Sequence, residues 1–216
     1  MYLPSHFEVT DTEALHGLIR EHPLGALVIT GPDGLDANHI PFEIEAEPAP
    51  RGRLLAHVAR ANPLWRNASD NGEVLVIFQG ASGYITPSWY PTKSASGKVV
   101  PTYNYAVVHA YGRVRAIEDR EWLRAFVTRL TDRHESVRSS PWRVTDAPAD
   151  YIDQMLAAIV GLEVTITRMI GKWKMSQNRT PQDRAGVAAG LAAMEGKEQA
   201  AMARLVRDFM NKPTDR

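Results

Sequence analysis

The strongest constraint on the fold is a sixteen-residue stretch, Thr102–Ile117, that alternates with a period of two. Its odd positions hold Tyr103, Tyr105, Val107, His109 and Tyr111, and its even positions hold Asn104, Ala106, Val108, Ala110 and Gly112. A helical period would mix these sets, so the stretch predicts a long strand with one bulky and one mostly small face. The small face permits close approach of a helix, another subunit or a ligand. Further strand signals fall at 24–30, 35–45, 54–58 and 73–79, with 83–86 continuing or pairing with the last, and one more at 161–175. Pro41 within 35–45 points to an edge strand or a bulge. The signals cluster before residue 117 and do not alternate with helices. That excludes a doubly wound parallel sheet and predicts an α+β chain with an antiparallel sheet or barrel and helices packed outside.

Helix signals bracket the sheet. Residues 1–9 read as an extended lead anchored by Tyr2, Leu3 and Phe7. Thr10-Asp11-Thr12-Glu13 reads as a capping box. It opens a helix with Leu15, Leu18 and Ile19 on one face, ending before Pro23. Asp119–Glu135 and Ala149–Ile159 are predicted helices. Thr180-Pro181-Gln182-Asp183 opens the C-terminal helices with an N-cap, a proline and an acid, and Gly196 divides that region. Order is expected throughout except at 211–216.

With 216 residues the chain can bury one substantial core. Lys and Arg number 25 against 25 Asp and Glu, a balance that argues against a dedicated nucleic-acid binder without excluding a local patch. The absence of cysteine excludes disulfides, thiolate nucleophiles and iron–sulfur ligation. No stretch has the apolar length of a membrane span, and MYLPSHFEVTD lacks the pattern of a signal peptide, so a cytoplasmic location is expected. The seven histidines show no metal-ligand spacing, so no metal site is expected. Phosphate-loop, dinucleotide-fingerprint and nucleophile-elbow motifs are missing too. No catalytic acid or base stands out.

Three polar clusters remain. Tyr84 to Tyr105 joins two strands through Pro87, Trp89, Tyr90, Pro91, Lys93 and Lys98, with a Ser/Gly tip at Ser94–Gly97. Rigid aromatics beside mobile cations suit a flat anionic ligand. An exposed hairpin loop with a Trp beneath it is the competing reading. In HVARANP a strand ends at Arg60 and a helix begins near Asn62, which is either an anion site or an ordinary strand–helix turn. In GKWKMSQNR, Lys172, Lys174, Ser176, Gln177 and Arg179 precede a helix. Its hydroxyl and amides suit the polar edge of a flavin, and a solvated strand end is the plainer alternative.

These clusters, with MYLPSHF, NHIPF, AHVARANPLW, IFQGASGYITPSWYPTK and VPTYNY followed by VHAYG, resemble the PaiB-like FMN-binding proteins, known as negative transcriptional regulators. The likeness runs through nearly the whole chain, and the C-terminal helices carry no motif of it. Tyr103 departs from an expected Trp and Met175 from a common Leu. The resemblance implies a split β-barrel of the pyridoxamine-phosphate-oxidase type over residues 1–180, with 181–216 as a helical extension packed on the same domain. It implies a homodimer with FMN at its interface, beside the Thr102–Ile117 strand. By position, Asn38 and His39 become candidates for the flavin ring, and Arg60 and Asn62 for the phosphate. Lys93, Thr102 and Asn104 are further candidates, and Lys172, Lys174, Ser176 and Gln177 are candidates contributed by the partner chain. Trp89 and Tyr90 then serve as wall and lid.

Three functions stay open at this point. One is an FMN-binding transcriptional regulator, with any DNA effect indirect, since no helix-turn-helix is evident. The second is a flavin- or haem-dependent oxidoreductase of the same superfamily with no direct DNA role, for which His39, His57 and His109 qualify as haem ligands by type only. The third is a cofactor-free structural dimer.

Overall fold

The computed structural model describes residues 1–70 and 72–211; the expectation for 211–216 therefore lies, beyond the backbone of residue 211, outside the described residues. The elements in chain order are β1 (Glu8–Val9), α1 (Thr12–Glu21), β2 (Leu24–Gly31), β3 (Gly34–Pro41), β4 (Glu43–Glu45), β5 (Arg53–Ala59), α2 (Leu64–Asp70) and β6 (Glu73–Ile85). They continue with α3 (Thr92–Ser96), β7 (Thr102–Ile117), α4 (Arg120–Glu135), α5 (Ala149–Ala157), β8 (Ile159–Lys174), α6 (Pro181–Ala192) and α7 (Lys197–Asn211). The sheet runs β3-β2-β6-β7-β8-β5-β4, and β1 pairs with β8 off that path. Every register given for a strand pair is antiparallel. The chain forms two compact units. One holds Met1–Leu18, Gln79–Val108 and the described part from Ile170 onward, and the other holds Ile19–Phe78 and His109–Met169.

In the second unit, β3 and β4 stand at opposite ends of the sheet order yet are separated by Phe42 alone. The predicted strand 35–45 is thus two strands. Pro41 cannot donate a ladder bond, and the Phe42 N–H turns to Pro23 O at 2.8 Å. The bend carries the chain from one end of the sheet to the other, making an open barrel. Its interior holds Leu27, Phe42, Leu54, Val76, Phe78, Leu162 and Val164, all nearly inaccessible. The Phe42 and Phe78 rings meet edge to face at 5.7 Å. Outside, Glu43, at 5% exposure, accepts from Arg129 Nε at 3.0 Å. Glu163 accepts from both Arg53 and Arg115. Buried carboxylates persist here because each is paired. On α4, Asp119 caps the helix by accepting from Trp122 N at 2.7 Å. Trp122 lies where a Cβ on Gly161 of β8 would come within 2.4 Å of the ring, so that glycine seats the helix.

β7 matches the predicted strand residue for residue. Its even positions from Asn104 to Val114 are buried, and Tyr103, Arg113 and Arg115 on the odd face are exposed. The small face packs inward and the aromatic face points out. The 83–86 segment continues β6 rather than pairing with it.

In the first unit, α1 begins one residue later than the capping box implied, with Asp11 Oδ1 accepting from Glu13 N at 3.1 Å. Tyr2 was expected to be a buried anchor, but it is 84% exposed, and only Phe7 of the lead is fully buried. The Ser94–Gly97 tip is the end of a helical turn: Gly97, at φ 63°, closes α3 by donating to Lys93 O. Asp183 at the start of α6 ties this turn down by accepting from Thr92 Oγ1 at 2.9 Å and Thr92 N at 3.2 Å. The Trp89 carbonyl and ring lie against Gly186 and Gly190 of α6. In a helix interior Gly→Ala ordinarily gains about 1 kcal/mol. At Gly186 the sign reverses, because the new Cβ would sit 2.0 Å from Trp89 O. Gly186→Ala is expected to destabilise by about 1–3 kcal/mol, read as a lowered thermal midpoint.

Candidate functional site

A grouping of polar side chains in the first unit forms where β7 starts and β8 ends. Lys172 is 7% exposed. Its Nζ donates to Tyr2 O at 3.0 Å and lies 5.7 Å from the Tyr2 ring and 5.3 Å from the Tyr105 ring. Lys174, two residues on and half-buried, donates to Thr102 Oγ1 and to Tyr103 O at 2.6 Å. Arg179 completes the group, its guanidinium 5.0 Å from the Tyr90 ring. Among the described residues no carboxylate lies within ion-pair distance of these three cations. Burial first, then the charges of Lys172 and Arg179, hold the Lys174 ammonium below the ordinary lysine value. Cations gathered without an anion, beside a hydroxyl, make a phosphate-sized anion site.

Neighbouring polar groups in this region already hold partners within the chain. Asn104 is fully buried; its Nδ2 donates to Ser176 Oγ at 3.0 Å. Ser176 takes a left-handed φ of 63°, unusual for a non-glycine residue, and the Asn104 bond helps hold it there. Gln177 Oε1 accepts from Met175 N and its Nε2 donates to Trp173 O, both at 2.6 Å. Both ends of that amide therefore stitch the turn. Lys93 sits exposed on α3.

The other candidates lie in the second unit. Asn38 on β3 is half-buried and accepts from Asn62 Nδ2 at 2.9 Å. His39 is exposed. Asn62 Oδ1 accepts from Leu64 N at 2.9 Å and so starts α2, as the sequence implied. Arg60 is committed elsewhere: it donates to Ala157 O at 2.9 Å, to Ile159 O at 3.2 Å and to Glu118. It covers the carbonyls at the end of α5, a structural task that explains its place. With α2 only seven residues long and Arg60 held by the α5 end, the ordinary strand–helix turn is the better supported of the two readings of HVARANP.

The family profile described as "Putative FMN-binding domain" matches residues 1–168. The chain belongs to the PaiB-like FMN-binding family. It is 31% identical to "Protease synthase and sporulation protein PAI 2" of Bacillus subtilis, across 98% of this chain and 99% of that protein. An uncharacterized protein of Emericella nidulans is 34% identical, across 96% of this chain and 97% of its own length. Among solved structures, the FAD and haem binding protein of Mycobacterium smegmatis superposes with a TM-score of 0.60 at 18% identity, covering 82% of this chain and 78% of that one. The flavocytochrome Anf3 of Azotobacter vinelandii gives 0.55 at 15%, covering 90% and 75%. At such identities these structures speak for the fold, an antiparallel split barrel with peripheral helices.

As a PaiB-like protein the chain carries an FMN-binding domain, and the cation cluster fits the phosphate that FMN brings. Sequence reasoning left Arg179, Tyr2 and Tyr105 out of the candidate site. Arg179 stood inside GKWKMSQNR, and its charge was the available signal. Tyr2 and Tyr105 had none, because Tyr2 is brought in by β1 pairing with β8 at Glu8 opposite Lys172, and Tyr105 by β7 lying next to β8 in the sheet. No helix among the described residues is long and apolar enough to cross a membrane.

Proposed function

We propose that the chain is a homodimeric FMN-binding protein whose Lys172, Lys174, Arg179 and Thr102 receive the FMN phosphate. The observation that carries this reading is the convergence of three cations with no carboxylate in ion-pair contact among the described residues, which costs the protein stability until an anion arrives. Asn104 and Ser176 act as a clamp that sets the β7–β8 spacing, and Gln177 holds the turn. Asn38 and His39 remain candidates for the flavin ring, Asn62 for the phosphate and Lys93 for a further contact, while Arg60 serves the α5 end. The half-exposed aromatic face of β7 supports its assignment as the interface strand. Residues 181–216 are read as an extension of the 1–180 barrel domain, a reading supported by the Thr92–Asp183 and Trp89–Gly186 contacts within one unit. Bound FMN supplies one- and two-electron redox chemistry. The regulatory role is proposed from the family resemblance alone. Balanced net charge supports an indirect route to DNA over direct binding.

A second reading, flavin- or haem-dependent oxidoreduction without a DNA role, draws on the printed names of the two solved structures and on His109. Burial holds this imidazole below its ordinary value, so it is neutral near pH 7, and its Nδ1 has no partner. A haem ligand must be a neutral imidazole.

One experiment addresses both. Adding FMN should quench flavin fluorescence with one FMN per chain, on a sample whose light-scattering mass is twice that of the chain. Affinity should fall as pH rises through the lowered Lys174 value, since only the ammonium attracts phosphate. Stability of the ligand-free protein should move the other way. The unfolded chain binds the extra proton between the folded and the ordinary lysine values, so stability rises with pH across that window. No quenching overturns the FMN assignment, and a Soret band on adding haem favours the second reading.

A further inference from the structure

In the first unit, the end of β6, Tyr103 of β7 and the junction of α6 with α7 enclose a cleft of about 460 Å³. That volume is of the size that holds a small organic molecule, about 300–1,000 Å³. Three aromatic side chains line it, Tyr84, Trp89 and Tyr103. The Tyr84 and Tyr103 rings meet edge to face at 5.8 Å and are 51% and 58% exposed in the single chain. The Met194 thioether, 47% exposed, adds a polarizable patch. Glu198 is the one charged residue in the lining. Its Oε1 accepts from Ser82 N at 3.2 Å and Ser82 Oγ at 3.1 Å, which fixes the carboxylate. Among the described residues no cation pairs with it.

Aromatic faces carry negative potential, sulfur is polarizable, and a held carboxylate lacks a counter-ion. All three select a positive charge. The walls also select flatness, because Trp89 is pinned against Gly190, where a Cβ would come within 2.3 Å of the ring, and cannot swing to wrap a compact ion. We propose that this cleft binds a planar organic cation of the N-alkylpyridinium class. It lies beside the anion site and has the opposite sign. Tyr103 serves both, lining the cleft with its ring and accepting from Lys174 with its carbonyl. None of the residues that line the cleft is among Thr102, Lys172, Lys174 and Arg179, so the cleft can be tested apart from the flavin assignment.

Calorimetric titration with 1-methylnicotinamide, a planar cation, and nicotinamide, its neutral counterpart, tests this. The cation is expected to bind the full chain about tenfold more tightly than the neutral compound. Glu198→Gln keeps an oxygen for Ser82 and should abolish the preference. Tyr84→Ala, at an exposed position, should weaken both compounds. Failure of the cation to bind, equal affinity for both compounds, or a preference that survives Glu198→Gln overturns the proposal. FMN titration of the same samples separates the two sites: loss of flavin binding alone removes the FMN assignment and leaves this one standing.

Discussion

Lys174→Ala is expected to weaken FMN binding by about 1.5–3 kcal/mol, or roughly 10- to 150-fold in Kd by flavin-fluorescence titration. The lysine holds its ammonium at the centre of the cluster through Thr102 and the Tyr103 carbonyl. Its removal takes away a charge-assisted contact whose partners the protein has already oriented. The same substitution should not lower the thermal midpoint of the ligand-free protein. Lys174 crowds Lys172 and Arg179, so its loss relieves repulsion while costing two hydrogen bonds at a half-exposed position. A general structural role would instead lower midpoint and affinity together. Unchanged affinity would remove Lys174 from the site.

Phe126→Ala should destabilise the protein by about 3–5 kcal/mol, measured by denaturant unfolding. Phe126 is 1% exposed, stacks on Trp122 at 5.2 Å and meets His57 at 5.9 Å. It is therefore the contact through which α4 grips β5. Truncation leaves a cavity beside an indole already fixed by Gly161, so the site cannot collapse to refill it. Burial lowers the His57 value, so the imidazole is neutral when packed. The unfolded chain binds the proton first on acidification, and stability should fall as pH drops through the ordinary histidine range. A cost below about 1 kcal/mol would show that the helix is held elsewhere.

Much of the fold was legible because its strands advertise themselves. β7 alternates over its whole length, and a one-residue error would have put Ala106 and Val108 outside, so its boundaries were well determined. The split of 35–45 was less legible. Pro41 signalled an edge or bulge, and β3 is indeed an edge strand, but the crossing to the opposite end of the sheet depends on a tertiary bond from Phe42 to Pro23. Ser94–Gly97 looked like a flexible tip by composition. The Asp183 carboxylate, ninety residues away, makes it a helical turn. In the candidate site, residue type revealed the cations but not their commitments. Arg60 and Lys174 look alike in a string of letters. One is absorbed by the carbonyls of α5, and the other is left facing two more cations.

The placement of β3 and β4 also bears on solubility. A sheet edge offers unpaired backbone groups to any passing strand, and a seven-membered path has two such edges. Here one short segment, Gly34–Glu45, supplies both. Asp36, Asn38, His39 and Pro41 mark the β3 side, and three residues make up β4. Charge, proline and brevity are the means by which strands refuse foreign partners. The chain thus places its defence against strand-by-strand aggregation in twelve consecutive residues, where Asp36 and Pro41 are the ones whose replacement by valine would open it to self-association.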